Sequence, residues 1–413
     1  MIQFKKIPII ARRDKNMEIK KIAKIINKNG GRLYYVGGYV RDKIMNNPSK
    51  DIDFCVVGIS KEQFLNLFPE AFLKGNFFPV FQLYDYEFAF ARKEVKTDLG
   101  HNGFSYNIKN ISITDDLMRR DITINSIALD VLTDELIDPF NGVKDIENKI
   151  IRATSSHFTE DPLRVYRVAQ FASRFNFAVS DETKKFIKSM KKELSALSAE
   201  RVFEELNKAL KSEKPSVFFN TLKECELLDI HFKEINDLIG VSQPLKYHPE
   251  GDAYNHSMDV LDKVSKLTND VKTRFAALTH DLGKAKTSKE ILPHHYMHEK
   301  NGVEPVQTLC NRLKTPNNWK KLAVVTVKEH TRAGLFNEMS IAKKVDFLER
   351  NSKYLSELEI IAKVDSKNPE LSFYDLGQKM LSEINGNTVN LPKNKEAKAI
   401  LHEKRISWMR KRR

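Results

Sequence analysis

Short apolar runs bounded by polar residues and glycines dominate the first third of the chain, and helical spacing takes over afterwards. Residues 33–36, 52–57, 78–83 and 87–92 are rich in aromatic and β-branched side chains and are separated by turn signals such as Gly75, Gly100 and Gly103, the pattern of strands in a buried sheet. Ahead of them, residues 15–29 read as a basic helix. Beyond about residue 155, apolar positions such as Leu163, Tyr166 and Phe171, and later Leu261, Val264 and Leu267, fall on one side of a 3.6-residue period. The pattern predicts an α+β chain, with a mixed α/β head followed by an all-helical neck, body and tail. The expected divisions are 1–30 (basic helical extension), 31–155 (head), 156–228 (neck), 229–345 (body) and 346–413 (basic tail). With no internal repeat and no Pro/Gly/Ser-rich linker, these parts are expected to meet through packed helices.

Composition narrows the partner class. The 413 residues carry 69 Lys and Arg against 55 Asp and Glu, a formal net charge of +14, which favours a nucleic acid over an acidic protein or a membrane. The excess gathers at the ends: residues 1–31 hold nine Lys/Arg against two acids, and residues 401–413 hold six against one, with Trp408 among them, as in a solvated face or an aromatic-and-arginine RNA contact. Cys55, Cys225 and Cys310 are far apart and show no CxxC spacing, so neither a disulfide framework nor a thiolate zinc site is expected. With no secretory signal and no run of roughly 18 to 20 apolar residues, the expected compartment is the cytoplasm and no membrane partner is expected.

The densest chemistry lies in residues 35–53, YVGGYVRDKIMNNPSKDID. On a strand, residues i and i+2 share a face, so Asp51 and Asp53 can reach a common pair of Mg²⁺ ions while Ile52 turns into the core. Gly37 and Gly38 break the preceding strand just before a helix, where free backbone N–H groups suit phosphate, and Arg41 can neutralise a further phosphate oxygen. Two metals and a triphosphate seat are the parts of nucleotidyl transfer. Further on, Arg119-Arg120-Asp121-Ile122-Thr123-Ile124-Asn125 sets Arg120 to bind triphosphate oxygens and Asp121 and Asn125 to hold ribose hydroxyls; alternatively, Arg119 and Arg120 pair with Asp115 and Asp116. In the segment from Thr159 to Arg167, Thr159 is the expected N-cap and Pro162 the first turn of a helix, which brings Asp161, Arg164 and Arg167 to one face. A carboxylate beside a guanidinium matches the pairing edges of cytosine and adenine and leaves groups unpaired against uracil and guanine. The same residues also suit a capped helix with an ordinary ion pair.

Together these elements match the signature of the class II nucleotidyltransferases, and the chain resembles the bacterial CCA-adding enzymes (tRNA nucleotidyltransferases) over most of its length, in particular the type with a C-terminal HD domain. The Arg119–Asn125 stretch matches that family's RRDxTxN element, Glu160-Asp161 with Arg164 its EDxxR element, and Glu200-Arg201 with Glu205 its ERxxxE neck element. The resemblance implies template-independent addition of C, C and A to the 3′ end of tRNA from CTP and ATP with Mg²⁺. It also implies catalytic Asp51 and Asp53, Glu87 as third carboxylate, a nucleotide seat of Gly37, Gly38, Arg41, Arg120, Asp121 and Asn125, and base reading by Asp161, Arg164 and Arg167. Two departures matter: Gln170 stands where a third arginine is usual, and Val95 stands where a basic residue is common in a loop thought to aid the switch from C to A. A CC-only enzyme and a poly(A) polymerase therefore stay open, although Phe78-Pro79-Val80-Phe81 looks more like the CCA-adding pattern.

In the C-terminal half, His280-Asp281-Leu282-Gly283-Lys284 follows an apolar helix, with His256 upstream, and matches the HD metal-phosphohydrolase signature. Imidazoles and carboxylates facing each other suit a divalent transition metal such as Ni²⁺ or Mn²⁺ and lower the pKa of its water. His294, His295 and His298 form a further cluster, and Asp365 is the candidate last ligand. His330 is followed by Thr331 where relatives often carry Asp, so a degenerate fold that only shapes the RNA-binding body is the competing expectation. If the HD half is instead the working enzyme, it is a phosphatase or 2′,3′-cyclic phosphodiesterase acting on RNA ends.

Overall fold

The computed structural model describes residues 15–47, 51–74, 80–96, 104–107, 111–246, 248–390, 392 and 396–412. Of the expected features, Phe78, Pro79, Gly75, Gly100 and Gly103 lie outside that set. The chain divides into two compact units, residues 1–168 with 177–196, and residues 169–176 with 197–413.

The first unit is built on a seven-stranded mixed sheet. Its strands are β1 (Arg32–Val36), β2 (Asp53–Val57), β3 (Phe72–Lys74), β4 (Val80–Leu83), β5 (Tyr86–Phe90), and, beyond the separate hairpin of β6 (Lys93–Lys96) and β7 (Phe104–Asn107), β8 (Ala128–Asp130) and β9 (Leu136–Ile137). Their order is β3-β4-β5-β2-β1-β8-β9, with β2 and β5 parallel and the other neighbours antiparallel. The two central strands are buried on both faces, which explains why their sequences read as nearly continuous apolar runs. One face holds Leu33, Phe54, Val56, Phe81 and Phe88 with α1 (Lys15–Lys28) and α3 (Lys61–Leu67). On the other, Tyr34, Val36 and Cys55 pack with Ile113 and Leu117 of α4 (Ile113–Met118). Period-2 alternation then decides the site: Phe54 and Val56 go to the first core, so Asp53 emerges on the second face.

The second unit is helical. Ala253–Leu267, Val271–Thr279, Asn317–Gly334 and Leu355–Asp365 are its principal helices around the histidine-rich region, with Val260, Val264, Ala276, Ala277, Leu322 and Ile361 as their shared core. The basic C-terminal helix Ala397–Arg410 contributes Trp408 and Met409 to a core with Phe336, Phe347, Leu348 and Phe373. Trp408 is thus a core residue rather than an exposed stacking platform; its Nε1–H donates to Glu383 at 2.6 Å, and Arg412 sits 3.9 Å from its ring centroid.

Candidate active sites

β2 begins at Asp53, so Asp51 lies just before the strand rather than on it, and Ile52 packs partly buried against the first core as alternation requires. Registry with β5 sets Glu87 directly beside Asp53, and paired residues on neighbouring strands point the same way. Burial raises the Asp53 pKa; Arg120 opposes that shift, while Glu87 and Asp51 add to it. Three neighbouring carboxylates supply hard oxygen donors, a setting that fits Mg²⁺. Glu87 forms an ion pair with Lys74 from β3.

Gly37 closes β1 with φ of 66°, ψ of −134° and leads into α2 (Gly38–Ile44). A Cβ there would stand 3.1 Å from Arg120 Nη1 and 3.6 Å from Asp53 Oδ2, so this glycine lets a backbone turn pass between the carboxylate and the guanidinium. Arg120 is anchored from behind: its Nη2 donates to Asp116 at 3.0 Å, and Asp116, buried in the first turn of α4, also takes Arg119 Nε at 3.0 Å. Burial works against charge on Asp116, but the two guanidinium groups outweigh it and lower its pKa. The alternative pairing of Arg119 and Arg120 with an aspartate is therefore present on Asp116, while Asp115 serves the capping box of α4 with Ser112. Anchoring and phosphate binding are compatible, because Arg120 Nη1 still faces Gly37 and Asp53.

Arg41, expected to neutralise a phosphate oxygen, is tied up by protein partners. It is 3% exposed; its Nε donates to Asp42 at 2.8 Å, its Nη1 donates to Asn125, and Nη2 lies 3.3 Å from where a Gly38 Cβ would be. Asn125 Nδ2 in turn donates to Asp121 Oδ1 at 3.2 Å, and Asp121 Oδ2 accepts from Arg167 Nε at 2.8 Å. Asp121 is buried, yet Arg167 and Arg164 outweigh the desolvation and hold its pKa at about 2. Asp121 and Asn125, read from sequence as ribose-facing, are thus members of a buried chain from Arg41 to Arg167.

The third segment begins differently from its expected form. Residues Ser156–Glu160 make a 3₁₀ turn, with Thr159 Oγ1 donating back to Ser156, and the cap of the helix α6 (Leu163–Phe175) is Asp161, whose Oδ1 accepts from Leu163 N at 3.0 Å. Proline 162 lacks an N–H, so Leu163 offers the first donor a cap can take. Arg164 is held by two carbonyls, His157 O at 2.6 Å and Arg119 O at 2.7 Å. Gln170 is buried. Val95 lies on β6, opposite Ser105 of β7.

In the second unit, His256, His280, Asp281 and Asp365 converge as the sequence suggests, and His298 and His330 join them. His256 Nε2 lies 3.0 Å from Asp365 Oδ1 and 3.5 Å from Asp281 Oδ2; His280 Nε2 lies 3.4 and 3.2 Å from the same atoms. Asp281 Oδ1 stands 3.5 Å from His298 Nε2 and 3.4 Å from His330 Nε2. Asp281 Oδ1 and His280 Nε2 are buried without a hydrogen bond, which is costly in the absence of a cation. Burial disfavours charge on His280, but Asp281 and Asp365 outweigh it and lift the pKa to about 10. Such a cage attracts a proton or a metal, and its mixed N/O donors fit a first-row transition ion.

Several supporting residues were not singled out from sequence. Glu250 binds Nδ1 of His256 at 2.6 Å and of His248 at 3.1 Å, the carboxylate–imidazole support common behind metal ligands. Lys284 Nζ, buried, reaches Asp281 Oδ2 at 2.5 Å and Gln243 Oε1 at 2.6 Å. Of the 294/295/298 cluster only His298 turns inward; His295 faces Thr287 and Ser242, and His294 stacks on Tyr296. The nearest sequence signal is the proximity of His248 and Glu250 to His256, a chain neighbourhood that does not fix which carboxylate backs which ring.

Residues 33–152 match the model of the poly A polymerase head domain, residues 176–239 the probable RNA and SrmB-binding site of polymerase A, and residues 253–370 the HD domain. The chain is 42% identical over 328 residues to the multifunctional CCA protein of Pseudoalteromonas atlantica, covering 77% of this chain and 80% of that one. It is 43% identical over 338 residues to that of Mannheimia succiniciproducens, with 76% and 80% covered. Among solved structures, the Thermotoga maritima CCA-adding enzyme complexed with tRNA-CCA superposes with a TM-score of 0.67 at 17% identity, over 97% of this chain and 92% of that chain. A complex of CCA-adding enzyme with CTP gives 0.64 at 20%, over 97% and 92%; at these identities the likeness shows the fold. The sequence relatives carry the assignment further: the chain belongs to the CCA-adding tRNA nucleotidyltransferase family and carries an HD domain in its C-terminal half.

Proposed function

We propose that this chain adds C, C and A to the 3′ end of tRNA, taking CTP and ATP and releasing pyrophosphate, at the face formed by Asp51, Asp53 and Glu87. The observation that carries the reading is the crowding of these carboxylates beside Arg120 and the Gly37 turn. Bound Mg²⁺ would activate the attacking 3′ hydroxyl and neutralise the leaving pyrophosphate. Arg120, braced on Asp116, faces the phosphate side. Arg164 and Arg167, held by carbonyls and by Asp121, keep their guanidinium groups ordered before a base arrives, so little side-chain entropy remains to be lost on binding. Asp161, beside them at the start of α6, supplies the acceptor that suits the amino groups of cytosine and adenine. The curated relatives, both multifunctional CCA proteins, favour full CCA synthesis over a CC-only product. The test is extension of tRNAs ending at the discriminator base, at C and at CC, with each nucleotide separately and together, read at single-nucleotide resolution. Stepwise CCA that then stops is expected; a halt at CC, long A tails, or full activity after Asp51→Ala with Asp53→Ala would sink the reading.

A second activity is supported by the convergence of four imidazoles and two carboxylates in the other unit: metal-dependent hydrolysis of phosphoesters at RNA ends. Phosphate release and ring opening on RNA ending in a 2′,3′-cyclic phosphate should require added Ni²⁺ or Mn²⁺ and vanish in His280→Ala with Asp281→Ala. Hydrolysis that survives both chelation and that double substitution would count against it.

A further inference from the structure

Asp161 and Arg164, two of the proposed base readers, depend on one short turn. Arg164 Nη1 donates to His157 O at 2.6 Å and Nη2 to Arg119 O at 2.7 Å. Two of the five guanidinium N–H groups are thereby spent, and the rigid plane of the fork fixes the direction of the other three. The positions of those two carbonyls therefore decide which acceptor on a base Arg164 can meet. Asp161 directly follows the 3₁₀ turn Ser156–Glu160 to which His157 belongs. Such a turn has poorer hydrogen-bond geometry than an α-helix, so its shape depends on outside support.

Three contacts supply that support. Phe158 is fully buried and stacks on Phe186 with ring centroids 6.2 Å apart. Ser155 Oγ donates to Met118 O at 2.8 Å and accepts from His157 N at 3.2 Å. Because Met118 immediately precedes Arg119, this serine ties together the two stretches whose carbonyls hold Arg164. The last contact closes the turn itself, with His157 Nδ1 2.7 Å from Glu160 Oε1. Residues i and i+3 of a 3₁₀ turn eclipse each other, so this pair links the residue whose oxygen holds Arg164 to the residue next to Asp161. We propose that His157 is a positioning residue for base selection: its carbonyl orients Arg164, and its imidazole, clamped to Glu160, sets the spacing between Arg164 and Asp161. A carboxylate oxygen only accepts, so Nδ1 carries the hydrogen of this bond whether the ring is neutral or charged. The clamp thus needs a donor at the Nδ1 position rather than a charge, and an asparagine amide offers one there.

This inference rests on Asp161 and Arg164 reading the base in the proposed CCA addition, and the experiment keeps the two claims apart. The full chain with Mg²⁺ extends tRNA ending at the discriminator base, with kcat/KM measured for CTP and UTP, and tRNA ending at CC, measured for ATP and GTP. His157→Ala should lower both preferences by about tenfold, as a small shift of an orienting group does, through a raised KM for the correct nucleotide and with the KM for tRNA unchanged. His157→Asn should restore both. His157→Leu, which keeps volume without a donor, is expected to behave as His157→Ala and serves in its place if the alanine variant fails to fold. Activity that falls equally for correct and wrong nucleotides would confine His157 to the fold and overturn the proposal, as would an asparagine variant no more selective than the donor-less ones. Arg164→Ala marks the other failure: if it keeps the preference for CTP and ATP, the base-reading assignment falls and this inference with it. If Arg164→Ala loses the preference while the donor-less variants keep it, only the role of His157 falls.

Discussion

Gly37 shows how narrowly a single position is set. Its φ of 66° is one that L side chains rarely adopt, and a Cβ would meet Arg120 Nη1 at 3.1 Å and Asp53 Oδ2 at 3.6 Å. Gly37→Ala should therefore cost about 1–2 kcal/mol of folding stability through backbone strain and should weaken CTP and ATP use more than tRNA binding, measured as separate KM values; equal effects on all three would refute the close-approach role. Asp121 offers a pH test. Its folded pKa of about 2 lies below the 3.8 usual for an aspartate, so the stabilisation is present above 3.8 and is lost as pH falls through 2. Asp121→Asn should destabilise by on the order of 2 kcal/mol near neutrality, and the gap between the two melting curves should close between pH 4 and 2. A gap that stays constant across that window would mean that Arg167 gains nothing from the charge. At this scale the sequence was legible where position follows chain spacing, as in Asp53, set beside the Gly37 turn, and the His280-Asp281 pair, set among the other histidines; Asp51, expected on the strand, lies just before it. It was less so where burial reassigns a side chain: the same RRDxTxN spacing that suggests ribose contacts places Asp121 and Asn125 under the surface, because Arg41 and Arg167 approach them from distant parts of the chain.

Elements show the same division between local and long-range causes. The strand positions of β1, β2 and β5 follow from alternation and aromatic content, and their ends differ from expectation by one or two residues, as helix and strand ends fray. What alternation cannot give is the strand order that sets Glu87 beside Asp53, since β2 and β5 are parallel neighbours 34 residues apart in register. Nor does a basic tail announce which of its residues is core. Trp408, among six basic residues, has an aromatic-and-arginine context that suits RNA stacking, yet its ring is 7% exposed and packed with Phe373 and Met380. The element-level prediction follows: Trp408→Ala should destabilise by about 3–5 kcal/mol, while Trp408→Phe should restore most of the melting temperature with unchanged tRNA affinity. Loss of tRNA binding in a well-folded Trp408→Phe protein would restore the stacking role.

Across the whole molecule, charge and chemistry are distributed differently. The net +14 gathers toward the two ends of the chain, whereas in the proposed function nucleotide choice rests on a few braced groups in the first unit. These two kinds of recognition respond differently to salt. Each phosphate neutralised by Lys or Arg releases condensed counterions, so affinity for an RNA duplex falls steeply with ionic strength, by about 10³-fold between 50 and 200 mM for a protein making at least six such contacts. Base selection by Asp161, Arg164 and Arg167, as proposed, would use few, partly buried contacts, which salt screens much less. Raising salt at constant Mg²⁺ should therefore raise the KM for tRNA by orders of magnitude while leaving the preference for CTP and ATP over UTP and GTP within about twofold, measured as ratios of kcat/KM on tRNA substrates ending at the discriminator base and at CC. If fidelity fell in parallel with tRNA affinity, the bases would be read by the bound tRNA or by exposed charge rather than by the side chains at the start of α6.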